Sequence, residues 1–155
     1  MFVVAALYHF TPFENVPAMQ APLLKVCEDN GISGSLLIAP EGINGTIAGA
    51  RAGLDAVLAY IRALPGCAEF ECKESTAASQ PFARMKVKLK KEIVTMGQPS
   101  VDPRASVGNY VAPEDWNELI LADDVAVIDT RNDYEVAIGT FEGAVDPQTE
   151  TFRDF

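Results

Sequence analysis

Three features of the sequence predict an α+β fold for the first part of the chain. Phe2–Phe10 is a continuous apolar run that ends at a threonine-proline pair, which predicts a buried central strand. Residues 34–50 (GSLLIAPEGINGTIAGA) contain two apolar runs separated by turn-forming residues, which predicts a β-hairpin. Arg51–Leu64 has apolar residues at helical spacing before a proline-glycine pair, which predicts an amphipathic helix.

Two further segments complete this first unit. Phe13–Asn30 predicts a loop followed by a helix, with Asn15 as the N-cap and a stop at Gly31. Ala68–Ser75 alternates weakly between apolar and polar residues and predicts a strand. The resulting order, β-α-β-β-α-β, is that of a ferredoxin-like fold, in which helices cover a four-stranded antiparallel sheet.

A fifth strand is predicted over residues 84–91, where apolar and basic residues alternate strictly. Its polar face carries four basic residues: Arg84, Lys86, Lys88 and Lys90. Like charges on one strand face repel one another, and an RNA phosphate backbone would relieve that repulsion in a salt-dependent way. The pattern therefore predicts either an RNA contact or an edge strand that lysines protect from aggregation.

The predicted hairpin turn, Pro40–Gly45, carries larger side chains than a plain turn needs. Its glycines and the Asn-Gly pair favour a tight turn because they tolerate positive φ. Glu41 and Asn44 interrupt this simple pattern. The segment is therefore either a purely structural loop or a loop that presents Glu41, Asn44 and backbone N–H groups to RNA or another substrate.

The overall composition is that of an ordinary globular protein, with 48% apolar and 22% charged residues among 155. No apolar run approaches the roughly 20 residues that a membrane helix needs, so we expect a cytoplasmic protein without membrane contact. The net charge of −10 is unevenly distributed. Residues 1–97 carry nine basic and nine acidic side chains, whereas residues 98–155 carry three and thirteen, which indicates two units with different surfaces.

The sequence gives no sign of a metal site or a bound cofactor. Cys27, Cys67 and Cys72 are odd in number and lack C-x-x-C spacing, so we expect reduced thiols rather than disulfides or zinc ligands. The single histidine, His9, lies in the first predicted strand, where a core or edge role is expected. No flavin, nicotinamide or Walker fingerprint is present.

The second part of the chain begins after a segment rich in proline and glycine. We expect a first domain over residues 1–97, a linker over residues 98–111 and a second unit over residues 112–155. The linker itself is proline-containing and without periodicity. Further elements are predicted as follows: a helix at Ala112–Leu121, strands at Val125–Ile128 and Ala144–Val145, a turn or short helix at Glu135–Ile138, and a helix start at Phe152–Phe155.

Val127–Val145 (VIDTRNDYEVAIGTFEGAV) resembles the opening of a rhodanese domain. The matching positions are Asp129, Thr130, Arg131, Tyr134, Glu135, Gly139, Gly143 and Ala144. Thr140 stands where rhodaneses usually have a histidine. Asp129 and Arg131 follow a predicted strand, where α/β proteins form sites, so they either support an active site or form an ion pair that fixes the loop.

The combination of EGINGT, a K-V-K-x-K strand and a rhodanese-like segment resembles the rhodanese-containing tRNA uridine hydroxylases. This resemblance implies oxygen-dependent C5 hydroxylation of the wobble uridine 34, with tRNA as partner and molecular oxygen as co-substrate. It does not imply an oligomeric state. Two alternatives remain open, namely a rhodanese-type sulfurtransferase and a non-catalytic RNA-binding module.

The family's reactive cysteine would lie beyond Phe155, and none of the three cysteines present matches it. We therefore expect a truncated α/β segment, and we assign no catalytic residue. A partial α/β domain cannot cover both faces of its sheet, so residues 112–155 should be poorly packed. The 155-residue chain alone should be inactive in hydroxylation and in sulfur transfer.

Overall fold

A computed structural model of the protein describes residues 1–94 and 108–149. The chain divides into two compact units, Met1–Val94 and Thr95–Phe155. Most of the predicted linker, up to residue 107, and the helix start predicted at Phe152–Phe155 lie outside the described residues.

The first unit is a five-stranded sheet with two helices, which confirms the predicted α+β, ferredoxin-like fold with an extra strand. In chain order its elements are β1 (Phe2–Phe10), α1 (Val16–Asp29), β2 (Ser33–Ala39), β3 (Gly42–Gly49), α2 (Arg51–Arg62), β4 (Glu71–Ala77) and β5 (Met85–Leu89). The strand order is β4-β1-β3-β2-β5. Neighbouring strands are antiparallel except β2 and β5, which are parallel.

Both helices pack their apolar residues against the same sheet in one core. In α2, a buried stripe follows the helical period: Leu54, Val57, Leu58 and Ile61. In α1, the Asn15 side chain accepts a hydrogen bond from the Ala18 N–H at 3.4 Å, as predicted for an N-cap. The helix continues through Pro22 and buries Leu23 and Cys27.

The hairpin differs from the prediction, because its turn consists only of Pro40 and Glu41. The segment Gly42–Gly45 lies inside β3, where it pairs with both β1 and β2. A Cβ atom on Gly42 would lie 2.1 Å from the His9 carbonyl oxygen, and one on Gly45 would lie 2.1 Å from that of Ser35. These glycines therefore serve close strand contact rather than a turn.

The three cysteines are free, as expected, with Cys27 and Cys67 buried and Cys72 half-buried. His9 places its Nε2 atom 2.8 Å from the Gly66 carbonyl oxygen, so it ties β1 to the loop after α2.

The second unit contains two helices, α3 (Pro113–Ile120) and α4 (Asp133–Ile138), in its described residues. The prediction of α3 is confirmed, and the segment predicted as a turn or short helix forms α4, which begins with an Asn132–Glu135 capping box. The two predicted strands are reduced to one parallel bridge between Ile128 and Val145. Strand ladders need several adjacent pairs, and within residues 108–149 this bridge is the only pairing that forms.

The apolar residues of the second unit are largely exposed. Neither α3 nor α4 contains a buried residue. Within residues 108–149, Asp129 is the only residue that is buried. Large apolar side chains are at least half exposed at Tyr110, Leu121, Ile128, Tyr134, Ile138, Phe141 and Val145. This exposure agrees with the expectation that the segment is poorly packed. Within the described residues, every helix falls short of the length and apolarity needed to cross a membrane.

The glycine contacts in β3 predict a large effect of a single methyl group. Gly42→Ala should lower the free energy of unfolding of the first unit by about 2 kcal/mol or more, because the Cβ meets backbone and the φ of +150° is unfavourable. Chemical denaturation followed by circular dichroism measures this change.

Gly31→Ala is the matched control, because Gly31 also has a positive φ of +65° but nothing lies within 4 Å of its added Cβ. Only the conformational cost, about 1 kcal/mol, is expected there. Equal destabilisation by the two variants would contradict a steric role for Gly42.

Candidate nucleic-acid interface

The predicted basic face lies along the outer strand of the described sheet. β5 pairs with β2, so that Lys86 is opposite Ser35 and Lys88 is opposite Leu37. Val87 points to the helix side, where it is 6% exposed and its carbonyl accepts a hydrogen bond from Gln20 at 2.8 Å. Lys86 and Lys88 therefore lie on the sheet face opposite the helices, because alternate residues of a strand face opposite sides.

The pairing extends the row of charges beyond the strand itself. The Gly34 N–H donates to the Arg84 carbonyl at 3.1 Å, and the Lys90 N–H donates to the Ile38 carbonyl at 2.9 Å. Arg84, Lys88 and Lys90 are exposed, and Lys86 is half-buried. The four residues that the sequence singled out are thus held in one row by backbone hydrogen bonds.

These basic side chains differ from the others of the first unit in having no partner among the described residues. Elsewhere, Lys25 pairs with Asp29 at 2.8 Å, and Lys73 pairs with Glu71 at 3.3 Å. Arg51 pairs with Asp55 and Glu74, and Arg62 lies over the Phe70 ring. Within residues 1–94, Arg84, Lys86, Lys88, Lys90 and Lys91 form no such contacts. Uncompensated like charges in a row favour an anionic partner.

Glu41 and Asn44, the other predicted binding residues of this unit, both contact the backbone of Ile93. The Glu41 carboxylate accepts a hydrogen bond from the Ile93 N–H at 2.6 Å. The Asn44 side-chain amide donates to the Ile93 carbonyl at 3.0 Å. Local residue spacing does not reveal this contact, because the partners are 52 and 49 residues apart.

Asp129 and Arg131 form the centre of a hydrogen-bonded cluster in the second unit. The guanidinium of Arg131 donates to both Asp129 carboxylate oxygens, at 2.8 and 2.6 Å, and to the Gly139 carbonyl at 2.7 Å. The Thr140 hydroxyl donates to Asp129 at 2.7 Å. Arg131, and then Thr140, hold the pKa of the Asp129 carboxyl well below its usual range. The arrangement fixes the loop, and Thr140 is a member that sequence reasoning did not assign to it.

Among the described residues, each of the two units has at least one concavity. Arg131, Gly139, Thr140 and Phe141 line a shallow one of about 480 Å³. In the first unit, a cleft of about 500 Å³ has mainly apolar walls: Pro12, Phe13, Ala18, Met19, Pro22, Tyr60, Leu64 and Pro65, with Glu14 and Asn15. None of the residues predicted as binding or supporting residues in the first unit lines this cleft.

The thiols in the described residues are not activated. Burial raises the pKa of Cys27 to about 12, and it also raises the pKa of Cys67 and of Cys72. A thiolate is the reactive form of cysteine, so these environments suppress nucleophilic chemistry. Within residues 1–94 and 108–149, no cluster of three or more histidine, cysteine, aspartate or glutamate side chains is arranged to hold a metal ion.

The Asp129 cluster leads to a prediction about pH. The Asp129 carboxyl should remain ionised below the ordinary aspartate pKa of about 3.9, since its charged form accepts these hydrogen bonds. The contribution of ionised Asp129 to the free energy of unfolding is therefore complete above a pH of about 3.9. It is lost as the pH falls toward the lower pKa that Asp129 has in the folded state.

Thr140→Val should raise the pKa of Asp129, and Arg131→Met should raise it further, because each substitution removes a hydrogen-bond donor to the carboxylate. Carbon-13 NMR of the Asp129 carboxyl group measures both changes.

Thr130→Val serves as the control, because Thr130 is adjacent in sequence but its hydroxyl does not bond to Asp129 in the described structure. The assignment of the cluster would be wrong if Thr140→Val left the titration of Asp129 as it is in the unmodified chain.

Comparison with known proteins identifies a family to which the first unit of the chain is matched. Residues 2–93 match the UPF0176 acylphosphatase like domain. The tRNA uridine(34) hydroxylase of Gluconobacter oxydans (strain 621H) is 65% identical over 152 residues, which are 98% of this chain and 49% of that protein. The proteins of the same name from Jannaschia sp. (strain CCS1) and Roseobacter denitrificans (strain ATCC 33942 / OCh 114) are 67% and 62% identical over 155 residues, or 51% and 52% of their lengths.

The chain thus spans about half the length of the curated relatives it matches. The matched domain covers most of the first unit, from β1 to the residue that Glu41 and Asn44 contact. The chain belongs to the family of proteins that carry the UPF0176 acylphosphatase like domain.

Proposed function

We propose that this protein acts in tRNA modification, and that its reaction is the oxygen-dependent hydroxylation of the wobble uridine 34 at C5. The proposal rests first on the relatives, since the three compared above are named tRNA uridine(34) hydroxylase and match nearly the whole chain. In this proposal, tRNA is the partner, molecular oxygen is the co-substrate, and the cytoplasm is the location because that is where bacterial tRNA is found. The residues described here supply RNA binding and part of the rhodanese-like unit.

The structural observation that carries the tRNA contact in this proposal is the row of basic side chains along β5, which have no ion-pair partner among the described residues. Alternate residues of a strand are about 6.5 to 7 Å apart, so Arg84, Lys86, Lys88 and Lys90 present regularly spaced charges over about 20 Å. This length suits several successive phosphates of one RNA strand. Contacts of this kind release counterions and carry no sequence information by themselves. Recognition of one uridine would then require other parts of the protein.

The role of Asp129 and Arg131 in this proposal is to support the site rather than to react. Their charges neutralise each other, and the Arg131 side chain is already committed to Asp129 and the Gly139 carbonyl. We expect them to hold the loop that follows the Ile128 bridge in a fixed shape.

The RNA contact can be separated from the alternative in which lysines only protect an edge strand. The double variant Lys86→Gln/Lys88→Gln should weaken tRNA binding and reduce the slope of log Kd against log salt by about 1.4, because two phosphate contacts are lost. Fluorescence anisotropy with labelled tRNA between about 50 and 200 mM salt measures both changes.

Lys25→Gln is the matched control, because Lys25 lies on α1 and already pairs with Asp29. Its affinity and salt slope should equal those of the unmodified chain. An unchanged slope in the double variant would instead favour protection of the sheet edge.

The reaction itself is tested in cells. Mass spectrometry of tRNA nucleosides from cells that lack the gene should show loss of the C5-hydroxylated uridine, with thiolated uridine retained. Complementation with the unmodified gene should restore the nucleoside, and complementation with the Lys86→Gln/Lys88→Gln gene should restore it less well. Loss of a thiolated uridine alone would favour a sulfurtransferase and would overturn the proposed hydroxylation.

A further inference from the structure

Ile93 is held at three points close to the end of the first unit. Its N–H donates to the Glu41 carboxylate at 2.6 Å, its carbonyl accepts from the Asn44 amide at 3.0 Å, and its side chain is 3% exposed. Residue 93 belongs to no helix or strand, so these side chains supply the hydrogen bonds that a ladder would otherwise provide. The bond to the carboxylate is charge-assisted, which makes it stronger than a neutral one.

The two residues that hold Ile93 are themselves fixed by backbone contacts. The carbonyl groups of Pro40 and Glu41 accept hydrogen bonds from the Phe13 and Thr11 N–H groups, at 3.0 and 2.9 Å. Asn44 lies in β3, where it is paired on both sides, with Tyr8 and with Leu37. The Glu41 and Asn44 side chains therefore project from a rigid base, and little ordering is needed before they bind the Ile93 backbone.

Each residue of the segment Glu41–Gly45 has a place in this arrangement. Gly42 and Gly45 let β3 approach its two neighbours, and Ile43 is fully buried in the core. The other two residues of the segment, Glu41 and Asn44, form hydrogen bonds to the backbone of Ile93 through their side chains. Val94, the next residue, is the last one of the first unit.

We propose that the Glu41–Gly45 segment is an intramolecular anchor that fixes where the chain leaves the first unit. Glu41 and Asn44 are then positioning residues for the tRNA modification, because they set the starting point of the connection to the second unit. This functional part rests on the proposed function, whereas the anchor itself does not. This role differs from the alternative raised by the sequence, in which the loop presents Asn44 to RNA.

The anchor is tested by hydrogen exchange of the Ile93 amide in the 155-residue chain, measured by NMR. Glu41→Ala removes the acceptor and should speed exchange of this amide by about tenfold or more. Glu41→Gln keeps an amide oxygen at the same place and should restore most of the protection. Amides of β1 and β3 in the same samples report whether the sheet remains folded.

Gln80→Ala is the control for loss of one side-chain hydrogen bond to the backbone. Gln80 donates to the Ala48 carbonyl at 3.1 Å and does not contact Ile93. Its removal should leave exchange of the Ile93 amide unchanged. If Glu41→Ala, with β1 and β3 still protected, also leaves that exchange unchanged, the anchor does not exist.

The positioning role is tested by comparing tRNA affinity with tRNA modification. Glu41→Ala should leave the Kd for tRNA and its salt slope unchanged in the purified chain. In cells, the same substitution should reduce the hydroxylated uridine several-fold, and Glu41→Gln should restore it.

Weaker tRNA binding by Glu41→Ala would indicate a direct RNA contact and would overturn the positioning role. Full modification of tRNA in cells that carry Glu41→Ala would overturn it as well. If cells with the unmodified gene contain no hydroxylated uridine, the proposed function is wrong. Hydrogen exchange of the Ile93 amide would still show whether Glu41 holds this residue.

Discussion

The central strand β3 depends on positions where a side chain would collide with a neighbouring backbone. Gly42 meets β1 and Gly45 meets β2 so closely that a Cβ atom would fall at 2.1 Å from a carbonyl oxygen in each case. This approach keeps β3 in register with both neighbours, and the core residues Ile43 and Ile47 take their places from that register. Because sheet registers shift in steps of one residue, a slip here would turn Asn44 into the core.

The same register connects the core with the two features of functional interest. It directs Asn44 and the neighbouring Glu41 to Ile93, which holds the end of the first unit. It also places β2 so that β5 can pair with it and display Lys86 and Lys88 on the face opposite the helices. Backbone geometry in the middle of the sheet thus governs both the basic row and the start of the connection.

The two units differ in how their charged groups are used. In the second unit, Asp129 and Arg131 neutralise each other inside a loop, with Thr140 completing the cluster. In the first unit, the β5 row has no compensating partners among the described residues. Paired charges fix local structure, whereas unpaired charges in a row attract a polyanion. This contrast is the physical basis for the proposal that β5 contacts RNA and that Asp129 and Arg131 support the loop.

The sequence by itself determined the features that depend on local periodicity and local turn chemistry. The stripe of α2, the Asn15 cap and the alternation of β5 could be read from residue spacing, because helices and strands repeat every 3.6 and 2 residues. Asp129 and Arg131 could also be paired in advance, since they are two residues apart. The order of elements followed from the same local signals.

Only the tertiary structure decided which distant residues meet. The Asn44-Gly45 pair is typical of a hairpin turn, yet both residues pair with β1 and β2 and therefore belong to β3. The turn itself consists of Pro40 and Glu41. The meeting of Glu41 and Asn44 with Ile93 joins residues about 50 positions apart, and local spacing contains no information about such a contact. The parallel pairing of β5 with β2 was likewise undetermined by sequence, because an edge strand of this pattern fits either direction until α1 and the loops constrain it.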